Sequence, residues 1–364
     1  MSDHIPFEIQ SEIMNMLPAK SLIRFRSVCK TWKSVIESSD FITGYSGQHQ
    51  HLLVRYIEGE PDYVSIIVDD DTFPRQKVSV TVPPFVDMFK YYRTTGTSHG
   101  LLCLYTDHMA VIWNPSISKE AAAVLPSVPD NQIYGTVLGF WVCGKTNDPK
   151  IVKINCMKDL WGVEDVAYVH WQVEVFTLST GAWRSPYSSI LPRNSIRFSE
   201  SQVVVDGVLY WLGCDRIAVY DSRFRSYNLI ISFDTTSEEF GEVNLPDNLA
   251  QFRASLSLYK LRESLVMIEH HYGANDLVYL VWIMEDGVPR TFAKLFTISC
   301  NVSIVSVRGF RKTSEPLIDF QTHPSSASIF AAYEPYSKSI SNVWTDGRNS
   351  SYFVYSYVET LLLL

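Results

Sequence analysis

The spacing of apolar residues changes once along this chain, between about residues 42 and 50, and the two sides of that change permit different kinds of fold. Before it, apolar residues recur at three- and four-residue steps: Ile9, Ile13, Met16 and Leu17, then Leu22, Phe25, Val28, Trp32, Val35 and Ile36. That period lays one apolar stripe along each of a few short helices. Pro6 suits a first helical turn, Pro18 closes the first helix, and Ser21 is placed to cap the next by accepting a backbone N–H. The expectation is a small all-α unit of three short helices over residues 1–42. A unit of about 40 residues cannot bury a self-sufficient core, so it should dock on something else.

After residue 50 the period falls to two, with β-branched and aromatic alternation in 63–68, 78–82, 101–105, 151–154, 171–178 and 203–212. Turn pairs punctuate these runs, among them Asn114-Pro115, Asp206-Gly207, Asp286-Gly287 and Asp346-Gly347. Residues 50–364 therefore read as a large, all-β, antiparallel domain. A loose repeat runs through it. Gly100 to Leu104 matches Gly207 to Leu212, each a glycine turn followed by an apolar strand. Downstream, Val111 to Ser116 leads to Leu125-Pro126, and Ile230 to Thr235 leads to Leu245-Pro246; Val175 to Thr180 with Leu191-Pro192 repeats the second half. Recurring short antiparallel units over about 300 residues favour a β-propeller-like ring, which hides its sheet edges, over the runner-up, a β-sandwich.

Composition narrows function. With 46% hydrophobic and 19% charged residues the 364-residue chain is globular. No apolar run approaches the roughly 18 residues that span a bilayer, and the first residues carry no secretory signal, so the expected setting is inside the cell, cytoplasmic and/or nuclear, away from membranes. Six cysteines without a Cys-x-x-Cys argue for reduced thiols and against zinc ribbons. The net charge of −8 makes nucleic acid a poor partner. Between Leu17 and Ile36, however, stand Lys20, Arg24, Arg26, Lys30 and Lys33 with no acidic residue, a stretch that could steer an acidic partner.

Two catalytic patterns match by letter and fail by context. Gly139 to Thr146 fits G-x-x-x-x-G-K-[ST], but a phosphate loop opens a helix, whereas here Asn147-Asp148-Pro149 turns into another strand. Gly96 to Gly100 fits the G-x-S-x-G nucleophile elbow, again with a strand following instead of a helix. Both read as hairpins. His49 and His51, and His270-His271, lack zinc-type spacing; Asp69-Asp70-Asp71 lacks the glycine and distal glutamate of a calcium loop. Neither catalytic residue, metal nor cofactor is expected.

Residues Ile5-Pro6-Phe7-Glu8-Ile9, Glu12-Ile13 and Leu17 through Trp32 closely resemble the plant F-box motif. The later segments 100–104, 113–115, 139–140, 146–154, 205–212 and 233–234 resemble, in order, the F-box-associated, kelch-like domain of the same family. Ser98-His99-Gly100 stands where that family usually has an Asn-Gly turn, and Ile5-Pro6 replaces Leu-Pro. The resemblance implies a non-catalytic substrate-recognition subunit of a Skp-cullin-F-box ubiquitin ligase. The F-box would dock on a Skp-type adaptor, reaching a cullin through it, while the β domain held an unidentified target protein. An alternative is an F-box scaffold or inhibitor outside a ligase; a β-propeller enzyme would need one of the rejected motifs. The helical segment carries more apolar positions than its own packet can cover, which marks a protein interface. The adaptor-binding residues expected are Pro6, Ile9, Ile13, Leu17, Pro18, Leu22, Val28 and Trp32, some serving the segment's own core.

Overall fold

The computed structural model describes residues 5–363 except 48, 57–61, 68–76, 89–91, 128–133, 158–170, 189–192, 194, 220–222, 252–254, 273–276, 286–290, 300–302, 312, 322–328 and 345–351. The Asp69–Asp71 run and the Asp286-Gly287 and Asp346-Gly347 turns lie outside the described residues.

The helical part is α1 (Phe7–Asn15), α2 (Ala19–Phe25), α3 (Lys30–Ile36) and α4 (Ser39–Gly44), one helix more than the apolar period announced. α4 starts at Ser38, whose Oγ accepts the N–H of Phe41 at 3.3 Å. Pro6 and Pro18 are the N-cap residues of α1 and α2. The cap expected of Ser21 is not made: Ser21 lies within α2, and the N–H of Ala19 instead donates to Glu359 Oε2 at 3.1 Å. A proline at the cap has no side-chain acceptor, so the carboxylate comes from the far end of the chain.

The β part comprises six four-stranded antiparallel sheets among the described residues. Blade I is β24 (Tyr352–Val358), β1 (Gln50–Tyr56), β2 (Asp62–Ile67) and β3 (Lys77–Ser79); blade II is β4 (Arg93–Ser98), β5 (Leu101–Tyr105), β6 (Met109–Asn114) and β7 (Lys119–Val124). Blade III is β8 (Tyr134–Val142), β9 (Pro149–Met157), β10 (Gln172–Thr177) and β11 (Ala182–Arg184); blade IV is β12 (Ile196–Val205), β13 (Val208–Val219), β14 (Arg223–Asp234) and β15 (Phe240–Val243). Blade V is β16 (Ser255–Leu261), β17 (Ser264–Tyr272), β18 (Leu277–Glu285) and β19 (Thr291–Ile298); blade VI is β20 (Ser303–Phe310), β21 (Pro316–Gln321), β22 (Ile329–Glu334) and β23 (Ser339–Trp344). Strands β24, β4, β8, β12, β16 and β20 follow one another around the axis, so the sheets form a closed β-propeller. The ring closes where β24 pairs with β1, from Gln50↔Val358 to Tyr56↔Tyr352. Two short helices, α5 (Pro84–Met88) and α6 (Asp247–Ala250), decorate it. None of the described helices is long and apolar enough to cross a membrane.

The sequence repeat is the blade. Gly100 and Gly207 sit in the first hairpins of blades II and IV, and the Leu125-Pro126 and Leu245-Pro246 pairs follow their last strands. In both hairpins the two turn residues have positive φ, 48° and 79° at His99-Gly100 and 48° and 73° at Asp206-Gly207, the geometry that matches strand twist. The run 203–212 is thus two strands folded at Asp206-Gly207, not one.

Because each blade is covered by two neighbours, its middle strands are apolar on both faces: all five residues of β5 are buried. Aromatic rings fill the wedges, with Trp141 of blade III edge-on to Phe233 of blade IV at 5.7 Å and Phe198 against Trp211 at 5.7 Å. The inner strands are sheet edges, and their backbone groups need partners. Gln202 supplies two on β8, donating to Phe140 O at 2.5 Å and accepting the N–H of Phe140 at 2.8 Å.

Candidate functional site

The helices expose what the strands hide. Ile5, Phe7, Ile9, Ile13, Met16 and Val28 are 44–68% exposed, six large apolar side chains within 24 residues, whereas the rest of the described chain exposes eight. Pro6, Ile9 and Ile13 lie on successive turns of α1 along one stripe, which Met16 extends. Pro18 is exposed at the elbow between α1 and α2, and Val28 precedes α3. Leu17 and Trp32 are half-buried. Trp32 ties α3 to α1 by donating from Nε1 to Gln10 Oε1 at 2.8 Å, its ring 5.4 Å from that of Phe25.

Leu22 is placed elsewhere. It is fully buried with Met14, Ala19, Ile36, Phe41, Tyr45 and Leu361, so its side chain serves the packet's own core and is closed to a partner. Periodicity cannot tell the two faces of so short a helix apart. Phe7 and Met16, exposed but unforeseen as contact residues, flank the stripe and belong to the same surface description. Of the five cations, Lys20, Arg24, Lys30 and Lys33 are exposed, while Arg26 pairs with Glu37.

The packet's need for an external partner is met first within the chain. Leu361, which follows β24, is buried in the helical core, and Ile117 of the β6–β7 turn packs beside it. Glu359 takes the Ala19 N–H, and the Tyr45 hydroxyl donates to Leu17 O at 2.8 Å.

Both letter-matched catalytic motifs are hairpins. Gly139 to Val142 belongs to β8 and Pro149 opens β9; a Cβ at Gly139 would stand 2.5 Å from Trp211, leaving no room for a nucleotide. Ser98 ends β4, and its Oγ accepts the Val142 N–H at 3.1 Å, so its hydroxyl bridges blades II and III. His51 stacks on Tyr357 at 5.2 Å, and His271 Nε2 lies 2.9 Å from Glu269. Among the described residues no three His, Cys, Asp or Glu side chains are grouped to hold a metal. Trp141 of β8 is buried in the core.

At the axis, on the side facing the helices, a cavity of about 1130 Å³ is lined by Gln202, Lys260, Arg308, Arg311 and Tyr355 among others. Three of its cations have acidic partners: Lys260 with Glu263 at 2.8 Å, Arg308 with Asp319 at 2.8 Å and Arg311 with Glu315 at 2.6 Å.

A family model of the F-box domain matches residues 2–43, and one of the F-box associated beta propeller domain matches residues 70–363. The F-box protein At1g67130 of Arabidopsis thaliana is 28% identical over 324 residues, covering 84% of this chain and 63% of the relative. The F-box/kelch-repeat protein At3g23880 of the same plant is 24% identical over 324 residues, 81% of this chain and 79% of the relative. Among solved structures, the β-propeller domain of the trilobed protease from Pyrococcus furiosus is similar at 17% identity and a TM-score of 0.36, covering 69% of this chain and 71% of that one, too distant to bear on function. The chain belongs to the F-box-associated β-propeller family of F-box proteins, with its F-box in the N-terminal helices.

Proposed function

We propose that the chain is the substrate-recognition subunit of a Skp-cullin-F-box ubiquitin ligase, its F-box at residues 1–42 docking on a Skp-type adaptor and its β domain at 50–364 holding a target protein. The observation that carries this reading is the crowding of exposed apolar side chains onto the F-box: Ile5, Phe7, Ile9, Ile13, Met16 and Val28. Apolar groups so concentrated in water raise the free energy until a partner covers them, and interface energy resides in a few such central residues. Pro6, Ile9, Ile13, Leu17, Pro18, Val28 and Trp32 form the contact, Leu22 supporting it from within.

The subunit contributes no catalytic group. Bringing a target beside a cullin-bound ubiquitin carrier raises the effective concentration of target lysines, so rate arises from proximity. The setting is the cytoplasm and/or nucleus, where adaptor and cullin assemble. The test is co-precipitation of the full chain with adaptor and cullin. The wild type brings down both; Leu17→Ala with Pro18→Ala loses both while the β domain keeps its circular dichroism. Adaptor without cullin would assign the chain to a scaffold or inhibitor outside a ligase, and no adaptor would remove the reading.

A further inference from the structure

The elbow Leu17-Pro18-Ala19, where α1 gives way to α2, lies within the proposed adaptor surface and has an unusual support. Pro18 offers neither an N–H nor a side-chain acceptor, so α2 begins with no local cap. On one side of the proline, the Ala19 N–H donates to Glu359 Oε2 at 3.1 Å. On the other, Leu17 O accepts from the Tyr45 hydroxyl at 2.8 Å, and that hydroxyl lies 3.4 Å from the same Glu359 oxygen. Both backbone groups flanking Pro18 therefore end on one carboxylate–phenol pair.

That pair is fixed to the propeller. Asn114 of blade II donates from Nδ2 to Thr360 O at 2.9 Å and to Leu362 O at 2.8 Å. The Gly47 N–H donates to Glu359 O at 2.9 Å, and a Cβ at Gly47 would lie 2.6 Å from that of Glu359, so the linker and the tail are in closest contact there. Leu361 fills the helical core with no exposed surface. One residue before Glu359 ends β24, the strand that closes the ring against β1. Burial, then the Glu359 charge, push the Tyr45 hydroxyl well above its ordinary 10.0, which keeps it a donor.

We infer that the C-terminal tail, through Glu359 and Tyr45, positions the Leu17-Pro18-Ala19 elbow for adaptor docking and so links docking to closure of the propeller. The inference rests on the adaptor reading above. A chain whose last strand has not paired with β1 presents an unfinished elbow, and by reciprocity an adaptor that binds the finished elbow favours the closed ring. Glu359 is a positioning residue: its carboxylate acts through the helix it caps.

The experiment measures, on the full chain and well below its unfolding temperature, the affinity for a purified Skp-type adaptor by calorimetry and the amide exchange of α1 and α2. Glu359→Ala is expected to weaken binding about tenfold, the equivalent of a lost helix cap, with faster exchange in both helices. Glu359→Gln, which keeps an acceptor oxygen, should lose less. Tyr45→Phe, which keeps the ring on Phe41 but loses the hydroxyl, should follow Glu359→Ala in direction. Glu238→Gln, in the β14–β15 turn away from the tail, should lower the melting temperature and leave adaptor affinity within about twofold, separating positioning from general stability. Wild-type affinity and exchange in both Glu359→Ala and Tyr45→Phe would overturn the inference; if Glu359→Ala does not fold, Tyr45→Phe decides. A wild-type chain that ignores the adaptor removes the functional reading instead, and exchange in the two variants still decides the support of the elbow.

Discussion

Glu238 shows how single side chains hold neighbouring blades together. It has no exposed surface, has a positive φ of 58°, and receives Arg184 Nη1 and Nη2 at 2.7 and 2.5 Å and the Tyr187 N–H at 2.9 Å. Removing a buried partner of an ion pair costs about 3 kcal/mol, discounted toward 2 because Arg184 can regain some water; Glu238→Ala should lose that much in urea unfolding. Titration gives a second prediction at this scale. Burial raises the Cys103 thiol from 9.0 to about 12 against a Thr95 hydrogen bond, and raises Tyr355 from 10.0 to about 12 against Thr94, Arg55 and Arg308. The unfolded chain releases these protons first, so the native state holds more of them as pH rises and stability falls from about pH 9 toward 12. Thermal melts across that range should show the decline, and Cys103→Ala should remove the portion that begins at the thiol's ordinary value. Individual residues were the least legible part of the sequence. Ser21 had the chemistry of a cap, but the acceptor that Ala19 uses, Glu359, lies 340 positions away and leaves no local trace. Leu22 shared the apolar period of its neighbours, and only tertiary packing separates a core position from a contact position on a seven-residue helix.

Elements were far more legible, because turns carry their chemistry locally. The hairpins at His99-Gly100 and Asp206-Gly207 and the failure of both catalytic patterns follow from residues that prefer positive φ or resume a strand. The short fourth helix escaped notice because six residues hold too little periodicity to announce it. Glycine substitutions separate conformation from close approach. Gly181 has φ 64° with open space around it, so Gly181→Ala should cost only the left-handed penalty of about 1 kcal/mol. At Gly100, with φ 79°, a Cβ would stand 2.2 Å from Val358 O on the ring-closing strand, so Gly100→Ala should cost several-fold more and act on closure. Denaturant midpoints of the two variants make the comparison; equal losses would mean that the turn, not the packing against β24, sets the requirement.

In the whole molecule, two kinds of surface share one acidic chain. The net charge is −8, yet Lys20, Arg24, Lys30 and Lys33 stand exposed on α2 and α3. Long-range attraction acts on encounter more than on the docked state. Lys30→Glu with Lys33→Glu should therefore slow adaptor association at low salt, with the difference from wild type closing as ionic strength rises and dissociation little altered. The overall plan was written in the change of period and in the repeat, because blades recur and each must bury both faces. What the repeat could not convey is that the first and last segments meet: the strand that closes the ring also leads into the tail that completes the helical packet. The central claim is that the exposed stripe on α1 is an adaptor contact. Its most direct test is calorimetric titration of a Skp-type adaptor into the full chain and into Ile9→Asp with Ile13→Asp, whose side chains are 44% and 46% exposed, with circular dichroism verifying that the variant keeps its helices. Saturable binding by the wild type and none by the variant is the expected result; equal binding by both would contradict the account.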